Sequence, residues 1–163
     1  MHKLDKIKRK IQTKASLKIL LKQWEEQKKK IVFTNGCFDL LHRGHIEYLS
    51  KAADLGDVLF IGVNTDASVR KLKGNNRPLQ DEYSRLVILG ALEFVDALIL
   101  FDEETPYELI KTVQPHVLVK GADYKPEEIV GYDVVKASGG EIKTIDFLSG
   151  FSTSELERKI KAG

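Results

Sequence analysis

The fold of this chain is decided by one run, Thr34-Asn35-Gly36-Cys37-Phe38-Asp39-Leu40-Leu41-His42-Arg43-Gly44-His45. This run follows a strand-like apolar stretch, Ile31-Val32-Phe33, and leads into a helix-like stretch that extends to Leu55. Open parallel α/β sheets bind phosphate at such strand-to-helix junctions, because free backbone N–H groups and the helix dipole favour an anion. The run therefore predicts an anion-binding site at the carboxyl end of a strand.

The rest of the chain alternates between strand-like and helix-like segments. Strands are predicted at 30–34, 57–63, 96–101, 116–120 and 141–145. Helices are predicted at 14–28, 44–55, 66–72, 81–92, 105–113, 131–138 and 153–161. Strands that read as continuous apolar runs are buried on both faces. The pattern therefore predicts an α/β fold, with an open, parallel, five-stranded Rossmann-like sheet covered by helices on both faces.

Length and composition restrict the class of protein. A chain of 163 residues is long enough for one domain with a substantial core. No apolar run approaches the roughly 20 residues that span a bilayer, and no signal-peptide core follows the basic N-terminus. The single cysteine, Cys37, excludes an internal disulfide and suits a reducing compartment. We therefore expect a cytoplasmic protein with no membrane partner.

Positive charge is concentrated at the N-terminus. Residues 1–30 hold eleven Lys and Arg against three Asp and Glu, a balance of +8, so the remainder carries −6. A basic arm can bind nucleic acid. Apolar residues nevertheless recur at helical spacing between Leu17 and Trp24, and no aromatic residues are interleaved to stack on bases. We interpret 1–29 as a basic amphipathic helix packed on a globular part, 30–163, and expect no nucleic-acid partner.

The histidines His42 and His45 are the strongest candidates for chemistry. Two imidazoles beside a helix start can donate hydrogen bonds to phosphate oxygens, and Gly36 and Gly44 would let phosphate approach the backbone closely. A zinc site is one alternative, although His-x-x-His alone supplies too few ligands. A purely structural pair is the other.

Three further segments are candidates for walls of the same site. The first segment follows a predicted strand and holds Lys120, Gly121 and Asp123. The second opens a predicted helix as a capping box and holds Ser152, Thr153 and Glu155. The third is a basic stretch with Lys71, Lys73, Arg77 and Arg85. Ligands bind at the carboxyl ends of strands in open α/β sheets, helix starts bind anions, and basic side chains neutralise polyphosphates. Taken singly, each segment also has a purely structural interpretation. The first can be an ordinary turn, the second a helix cap and the third a solvated face.

The residues match a known family. The run 35–45, ending in His42-Arg43-Gly44-His45, resembles the His-x-Gly-His signature of the cytidylyltransferase-like nucleotidyltransferases. Ser152-Thr153-Ser154 resembles their second motif, and the similarity extends over nearly all of 30–161. The resemblance implies the HIGH-type nucleotidyltransferase fold for 30–163. Segments 63–68, 72–78 and 119–129 most resemble one subgroup, the D-glycero-β-D-manno-heptose 1-phosphate adenylyltransferases. Members of this subgroup occur alone or fused to a kinase half. Since this sequence shows no kinase half, we expect a stand-alone transferase.

The resemblance implies transfer of AMP from ATP to a heptose 1-phosphate, giving ADP-heptose and pyrophosphate for lipopolysaccharide or surface-polysaccharide precursors. It further implies ATP as substrate, Mg²⁺ bridging the triphosphate with few protein ligands, small-molecule partners and a homodimer. The residues that it makes catalytic are His42, His45, Lys73 and Arg85. Those that it assigns to the nucleotide are Asn35, Gly36, Phe38, Asp39, Gly44, Lys120, Gly121, Asp123, Ser152 and Thr153. Those that it assigns to the acceptor are Asn64, Arg77 and Arg85, and it gives no protein residue as a metal ligand.

One departure bears on the choice of nucleotide. Relatives that use CTP carry an arginine shortly before the second motif, where this chain has Phe147. This favours ATP over a glycerol-3-phosphate-type cytidylyltransferase, which is the first alternative function. The second alternative is a non-catalytic nucleotide-binding module.

Overall fold

The computed structural model describes residues 2–162, so Met1 and Gly163, the outer ends of the two predicted segments, lie outside the described residues. Its strands are β1 (Ile11–Gln12), β2 (Ile31–Gly36), β3 (Val58–Asn64), β4 (Ala97–Phe101), β5 (Val117–Gly121) and β6 (Glu141–Ile145). Its α-helices are α1 (Lys3–Lys10), α2 (Lys14–Glu26), α3 (Arg43–Ala53), α4 (Asp66–Lys73), α5 (Glu82–Gly90), α6 (Tyr107–Val113), α7 (Tyr132–Ala137) and α8 (Thr153–Ala162). A short 3₁₀ turn covers Pro126–Glu128.

All strands are parallel, in the order β1-β4-β3-β2-β5-β6. Successive residues of a strand point to opposite faces, and the core is divided accordingly. Val32 and Leu59 pack beneath α3 and α5 on one face. Phe33 and Phe60 pack beneath α2, α6 and α7 on the other. The predicted α/β class, with helices on both faces of a parallel sheet, is confirmed.

The predicted strand count of five is wrong by one. Each predicted strand and helix is present within two residues of its predicted bounds, but β1 adds a sixth strand at the edge of the sheet. Ile11 pairs with Leu98 and Gln12 with Ile99. A strand of two residues is too short to show the period-2 pattern from which strands are predicted.

The basic N-terminal segment holds two helices with β1 between them, which corrects the single helix expected for 1–29. The chain turns at Thr13, whose side-chain oxygen accepts the N–H of Ser16 at 3.1 Å and so begins α2. Leu17 and Trp24 of α2 are buried against the sheet. Among the helices of residues 2–162, none has both the length and the apolar character needed to cross a membrane.

The strand order reverses beside β2, and open α/β sheets have a crevice at such a point, at the carboxyl edge of the sheet. From β2 the chain moves outward through β3 and β4, and then returns to the opposite side of β2 with β5. Open α/β sheets bind ligands where the strand order reverses in this way. Here that point lies between Gly36, which ends β2, and Gly121, which ends β5.

Candidate active site

The two histidines lie at the start of α3, on the turn that leaves β2. His42 precedes the helix with an extended backbone, and its N–H donates to His45 Nδ1 at 3.3 Å. The two rings lie against each other with their centroids 3.9 Å apart and their planes tilted by 33°. Because Nδ1 of the neutral His45 ring accepts a hydrogen bond, its proton lies on Nε2. His45 is therefore built to present an N–H donor.

Both imidazoles are neutral at pH 7. Burial, together with the charges of His42 and Lys73, lowers the pKa of His45 to about 4. Burial also lowers the pKa of His42. The Nδ1 atom of His42 is buried and has no hydrogen-bond partner within residues 2–162. Since buried polar atoms are nearly always paired, an orphaned atom at this position is a candidate for a hydrogen bond to a ligand.

Small and aromatic residues shape the histidine turn. A Cβ atom on Gly44 would lie 2.9 Å from His42 Cε1 and 3.0 Å from Nδ1, so a larger residue there would displace the ring. Phe38 has a left-handed backbone, with φ of 49°, and packs edge-on against His45 at 5.6 Å. A Cβ atom on Gly36 would lie 3.0 Å from the Phe38 ring. These residues therefore fix the orientation of the imidazoles.

A lysine joins the two sides of the crevice. Lys120 Nζ donates to Asn35 Oδ1 at 2.5 Å, linking the ends of β5 and β2. Burial lowers the pKa of Lys120 to about 8, and the opposing effect of the Asp123 carboxylate is smaller. At pH 7 most of the lysine is protonated, so it supplies a positive charge with two N–H donors beyond the one given to Asn35.

Two aromatic residues complete this wall, and the sequence pointed only to Phe147, which replaces the arginine of CTP-using relatives. The Phe147 ring would lie 2.2 Å from a Cβ atom on Gly121, so it occupies the space that this glycine leaves open. The ring stacks on Tyr48 with centroids 5.6 Å apart. Phe147 is 57% exposed. Its place soon after the last predicted strand is the signal that points to it, whereas Tyr48 shows only the spacing of a core helix.

Asp39 is buried and fully paired. Its carboxylate accepts from Arg77 Nη1 at 2.6 Å and from the backbone N–H groups of Leu79 and Gln80 at 2.9 Å. Burial alone would raise the pKa of this carboxyl, but the two N–H groups and the guanidinium hold it below its usual value. Asp39 therefore anchors the loop after α4 to the histidine turn.

In three predicted site residues, polar atoms of the side chain are hydrogen-bonded to other protein groups. Arg85 is buried, and its guanidinium donates to Cys37 O at 2.6 Å, to Asp66 Oδ1 at 2.8 Å and to Gln80 O at 3.1 Å. The Arg85 side chain faces the protein interior. We therefore assign it to support of the turn beneath the site, instead of the predicted contact with phosphate.

The other two are the predicted acceptor residues. Arg77 is bound by two carboxylates, Asp39 at 2.6 Å and Glu157 at 2.5 Å. Asn64 is buried, and its amide nitrogen donates to Ser68 Oγ at 2.9 Å. Neither side chain has its polar atoms free in this arrangement, so their predicted contacts with the acceptor stay predictions.

The second motif lies next to the first. A Cβ atom on Gly44 would lie 3.3 Å from Phe151 Cβ, which places the residue before Ser152 against the start of α3. Ser152 Oγ accepts the N–H of Glu155 at 3.0 Å, so half of the predicted capping box is present. The Glu155 carboxylate instead binds Arg158 at 2.6 Å. The starts of α3 and α8 thus face the same crevice.

Comparison with known proteins identifies relatives. A family model described as Cytidylyltransferase-like matches residues 33–158. "Bifunctional protein HldE" of Wolinella succinogenes is 52% identical over 151 residues, which cover 93% of this chain and 31% of that protein. The protein of the same name from Geobacter metallireducens is 58% identical over 132 residues, covering 81% and 27%. The chain therefore spans about a third of the length of these curated relatives.

Two solved structures share the fold. The "lipopolysaccharide core biosynthesis protein" of Thermoplasma volcanium superposes with a TM-score of 0.58 at 30% identity, covering 74% of this chain and 97% of that one. A pantoate-beta-alanine ligase from Francisella tularensis superposes with a TM-score of 0.60 at 17% identity, covering 93% and 76%, which supports the fold alone. By its family match, its relatives and its His-x-Gly-His turn, the chain belongs to the cytidylyltransferase-like family of nucleotidyltransferases.

Proposed function

We propose that this domain transfers AMP from ATP to D-glycero-β-D-manno-heptose 1-phosphate, giving ADP-heptose and pyrophosphate for lipopolysaccharide or surface-polysaccharide precursors. The observation that carries the proposal is the neutral pair His42 and His45, with one buried, unpaired Nδ1 atom at a helix start. The likeness to the proteins named HldE, and to one named for lipopolysaccharide core biosynthesis, supports the choice of sugar.

In the proposed reaction, an oxygen of the acceptor phosphate attacks the α-phosphorus of ATP. A new P–O bond forms there, the bond from the α-phosphorus to the bridging oxygen breaks, and pyrophosphate leaves with the electron pair. The acceptor phosphate is already an anion near neutral pH, so the reaction requires no general base. His45, with a pKa of about 4, is a weak base but a good N–H donor, which suits stabilisation of the leaving group.

The other proposed contacts hold the substrates in line. Lys120 offers its remaining N–H donors to the triphosphate, and Ser152 and Thr153 do the same at the start of α8. Lys73 is exposed at the end of α4, and its charge is close enough to lower the pKa of His45. Catalysis then comes from positioning and from neutralising charge on the phosphates.

Magnesium enters the proposal as part of the nucleotide substrate. Within residues 2–162, no three His, Cys, Asp or Glu side chains converge to form a metal site. We propose that Mg²⁺ is held mainly by the triphosphate oxygens, as is common for this ion. When bound, it neutralises phosphate charge, in addition to the protein's own donors.

The base-binding wall supports ATP over CTP. In the position where CTP-using relatives carry arginine, Phe147 stacks on Tyr48 above Gly121. An exposed aromatic ring offers an apolar, stackable surface and no charge. We propose that this wall accepts adenine.

A pyrophosphate-release assay tests the proposal. ATP and CTP are each combined with heptose 1-phosphate, glycerol 3-phosphate and ribitol 5-phosphate, with the His45→Ala protein as the control for contaminating activity. The proposal expects the highest kcat/KM with ATP and the heptose. Highest turnover with CTP and glycerol phosphate would indicate a cytidylyltransferase, and nucleotide binding without pyrophosphate release would indicate a non-catalytic module.

The cytoplasmic location and the homodimer predicted from the resemblance stay proposals. Light scattering on the purified protein measures its mass in solution. A mass of two chains is expected, and a mass of 18.4 kDa would show a monomer.

A further inference from the structure

The last helix is attached weakly to the domain it completes. None of the residues of α8, Thr153–Ala162, is buried, and Ile160 is 72% exposed. By contrast, α3 buries Gly44, Tyr48, Leu49 and Ala52. Since burial of apolar surface is the main force that fixes a helix on a sheet, α8 needs another restraint to hold its first turn in the site.

That restraint is an ion-pair chain of three residues. Glu157, in the second turn of α8, binds Arg77 Nη2 at 2.5 Å. The other end of the same guanidinium binds Asp39 at 2.6 Å. The side chains are 29%, 14% and 1% exposed in the order Glu157, Arg77 and Asp39, so the chain runs from the protein surface into the interior.

The inner end of this chain is the histidine turn itself. Asp39 lies three residues before His42, and its carboxylate is held by two backbone N–H groups of the 74–81 loop. The chain therefore connects the body of α8 to the element that carries His42 and His45. A second contact lies just before α8, where Phe151 packs against Gly44 and beneath Arg43.

We propose that Arg77 is a positioning residue, which ties Glu157 to Asp39 and so holds Ser152 and Thr153 in register with the histidine pair. This inference rests on the proposed function, in which the start of α8 binds the triphosphate. It gives Arg77 a role other than the direct acceptor contact implied by the family resemblance, because both ends of its guanidinium are occupied by carboxylates.

The experiment removes Glu157, at the outer end of the chain, where folding is least affected. Glu157→Ala is compared with Glu26→Ala, which also removes one carboxylate but breaks only the exposed pair between Glu26 and Lys22 of α2. We expect Glu157→Ala to raise the KM for ATP about tenfold, because a misplaced binding group weakens ground-state binding. We expect kcat to stay within about twofold. Glu26→Ala is expected to match the wild type.

A second measurement reports the tether without relying on activity. Trypsin cuts after Arg158 and Lys159, which lie in α8 and are exposed. We expect Glu157→Ala to be cleaved there faster than Glu26→Ala, and a non-hydrolysable ATP analogue to slow cleavage in both. The melting temperature of Glu157→Ala is expected to stay close to that of the wild type, because α8 buries no residue.

Three results would overturn the proposal. Equal KM values for the two variants would show that the ion pair does not position the site. A lower KM in Glu157→Ala would show that Glu157 competes with substrate for Arg77. Equal cleavage rates would show that α8 is held by other contacts. If the wild type releases no pyrophosphate with any substrate pair, the proposed function fails, and the cleavage rates still decide whether the tether exists.

Discussion

Two groups of polar side chains meet beside the turn between β2 and α3. They differ in whether their polar atoms have hydrogen-bond or ion-pair partners within the protein. In the scaffold group, Asp39, Arg77 and Arg85, each charged group is bound to protein partners. In the histidine group, His42 and His45, one buried nitrogen has no partner within residues 2–162 and another presents an N–H donor. The first group is complete without a ligand, whereas in the proposed function the second is completed by one.

The cost of burial explains why the two groups are built differently. An unpaired buried charge is very costly, so the buried Asp39 carboxylate and Arg85 guanidinium require several hydrogen bonds each. A neutral imidazole costs far less to leave unpaired. By keeping the pKa of both histidines low, the protein can keep polar atoms available to phosphate without burying a charge.

The largest effect is expected from breaking the scaffold group. Arg85→Ala leaves the Asp66 carboxylate and the carbonyls of Cys37 and Gln80 without their partner. Removing one member of a fully buried ion pair costs about 3–5 kcal/mol. Because Asp66 is 26% exposed, we expect a loss toward the lower end of that range in the free energy of unfolding measured by urea denaturation. Arg158→Ala, which breaks an exposed pair, is the control and should cost less than about 1 kcal/mol. Equal losses would contradict the scaffold role of Arg85.

The opposite pattern is expected from the histidine group. His45→Ala removes a donor to the leaving pyrophosphate, which is worth about 2–4 kcal/mol or about 10²–10³ in kcat. Urea denaturation should show a smaller loss of stability than in Arg85→Ala, because no buried charge loses its partner. Near-normal turnover in His45→Ala would contradict its assignment to the leaving group.

A smaller effect is expected from crowding the histidine group while retaining it. In Gly44→Ala, the new methyl group would meet the His42 ring at 2.9 Å and push it out of place. Misplacing a catalytic group by about 1 Å can cost up to about 10²-fold in rate, and we expect a loss of about tenfold in kcat/KM for ATP. Unchanged kinetics would show that the orientation of the His42 ring does not matter.

The effect that is smallest at pH 7, because His45 is then neutral in both states, is a difference in the pH dependence of stability. The unfolded chain binds a proton at His45 below pH about 6.5, whereas the folded protein binds it only below about 4. Since the unfolded state holds more protons in that window, folding loses stability as pH falls through it. His45→Gln lacks this contribution, so its unfolding free energy should fall less steeply from pH 6.5 to 4 than that of the wild type. If the curves of unfolding free energy against pH run parallel for the wild type and His45→Gln, the pKa of His45 is not depressed.

The same contrast explains what could be predicted from the sequence. Periodicity and the spacing of the glycines predicted the sheet, the helices and the histidine turn, because these depend on local pattern. The pairing of Asp39 with Arg77, 38 residues away, depends on the tertiary path of a loop and leaves no periodic signal. The sequence therefore marked Arg77 and Arg85 as cations near phosphate, but it did not show which carboxylates already bind them.

The N-terminal segment illustrates a second limit. Its charge and its apolar spacing predicted one helix, but Ile11 and Gln12 interrupt it and pair with β4. Adding a short strand satisfies backbone groups at a sheet edge, which is a tertiary requirement rather than a local propensity. The aromatic wall formed by Tyr48 and Phe147 escaped prediction for the same reason, since its two rings come from distant parts of the chain.

The most direct test of the central claim is the nitrogen-15 NMR spectrum of the imidazoles, recorded with and without a non-hydrolysable ATP analogue. For the free protein at pH 7, we predict a neutral His45 ring with its proton on Nε2. We also predict that the signals of His42 and His45 shift when the analogue binds. The signals of His116, whose Nδ1 accepts the N–H of Ile31 far from the site, should not shift. A His45 ring that is protonated in the free protein, or signals from both histidines that stay unchanged at saturating analogue, would contradict it.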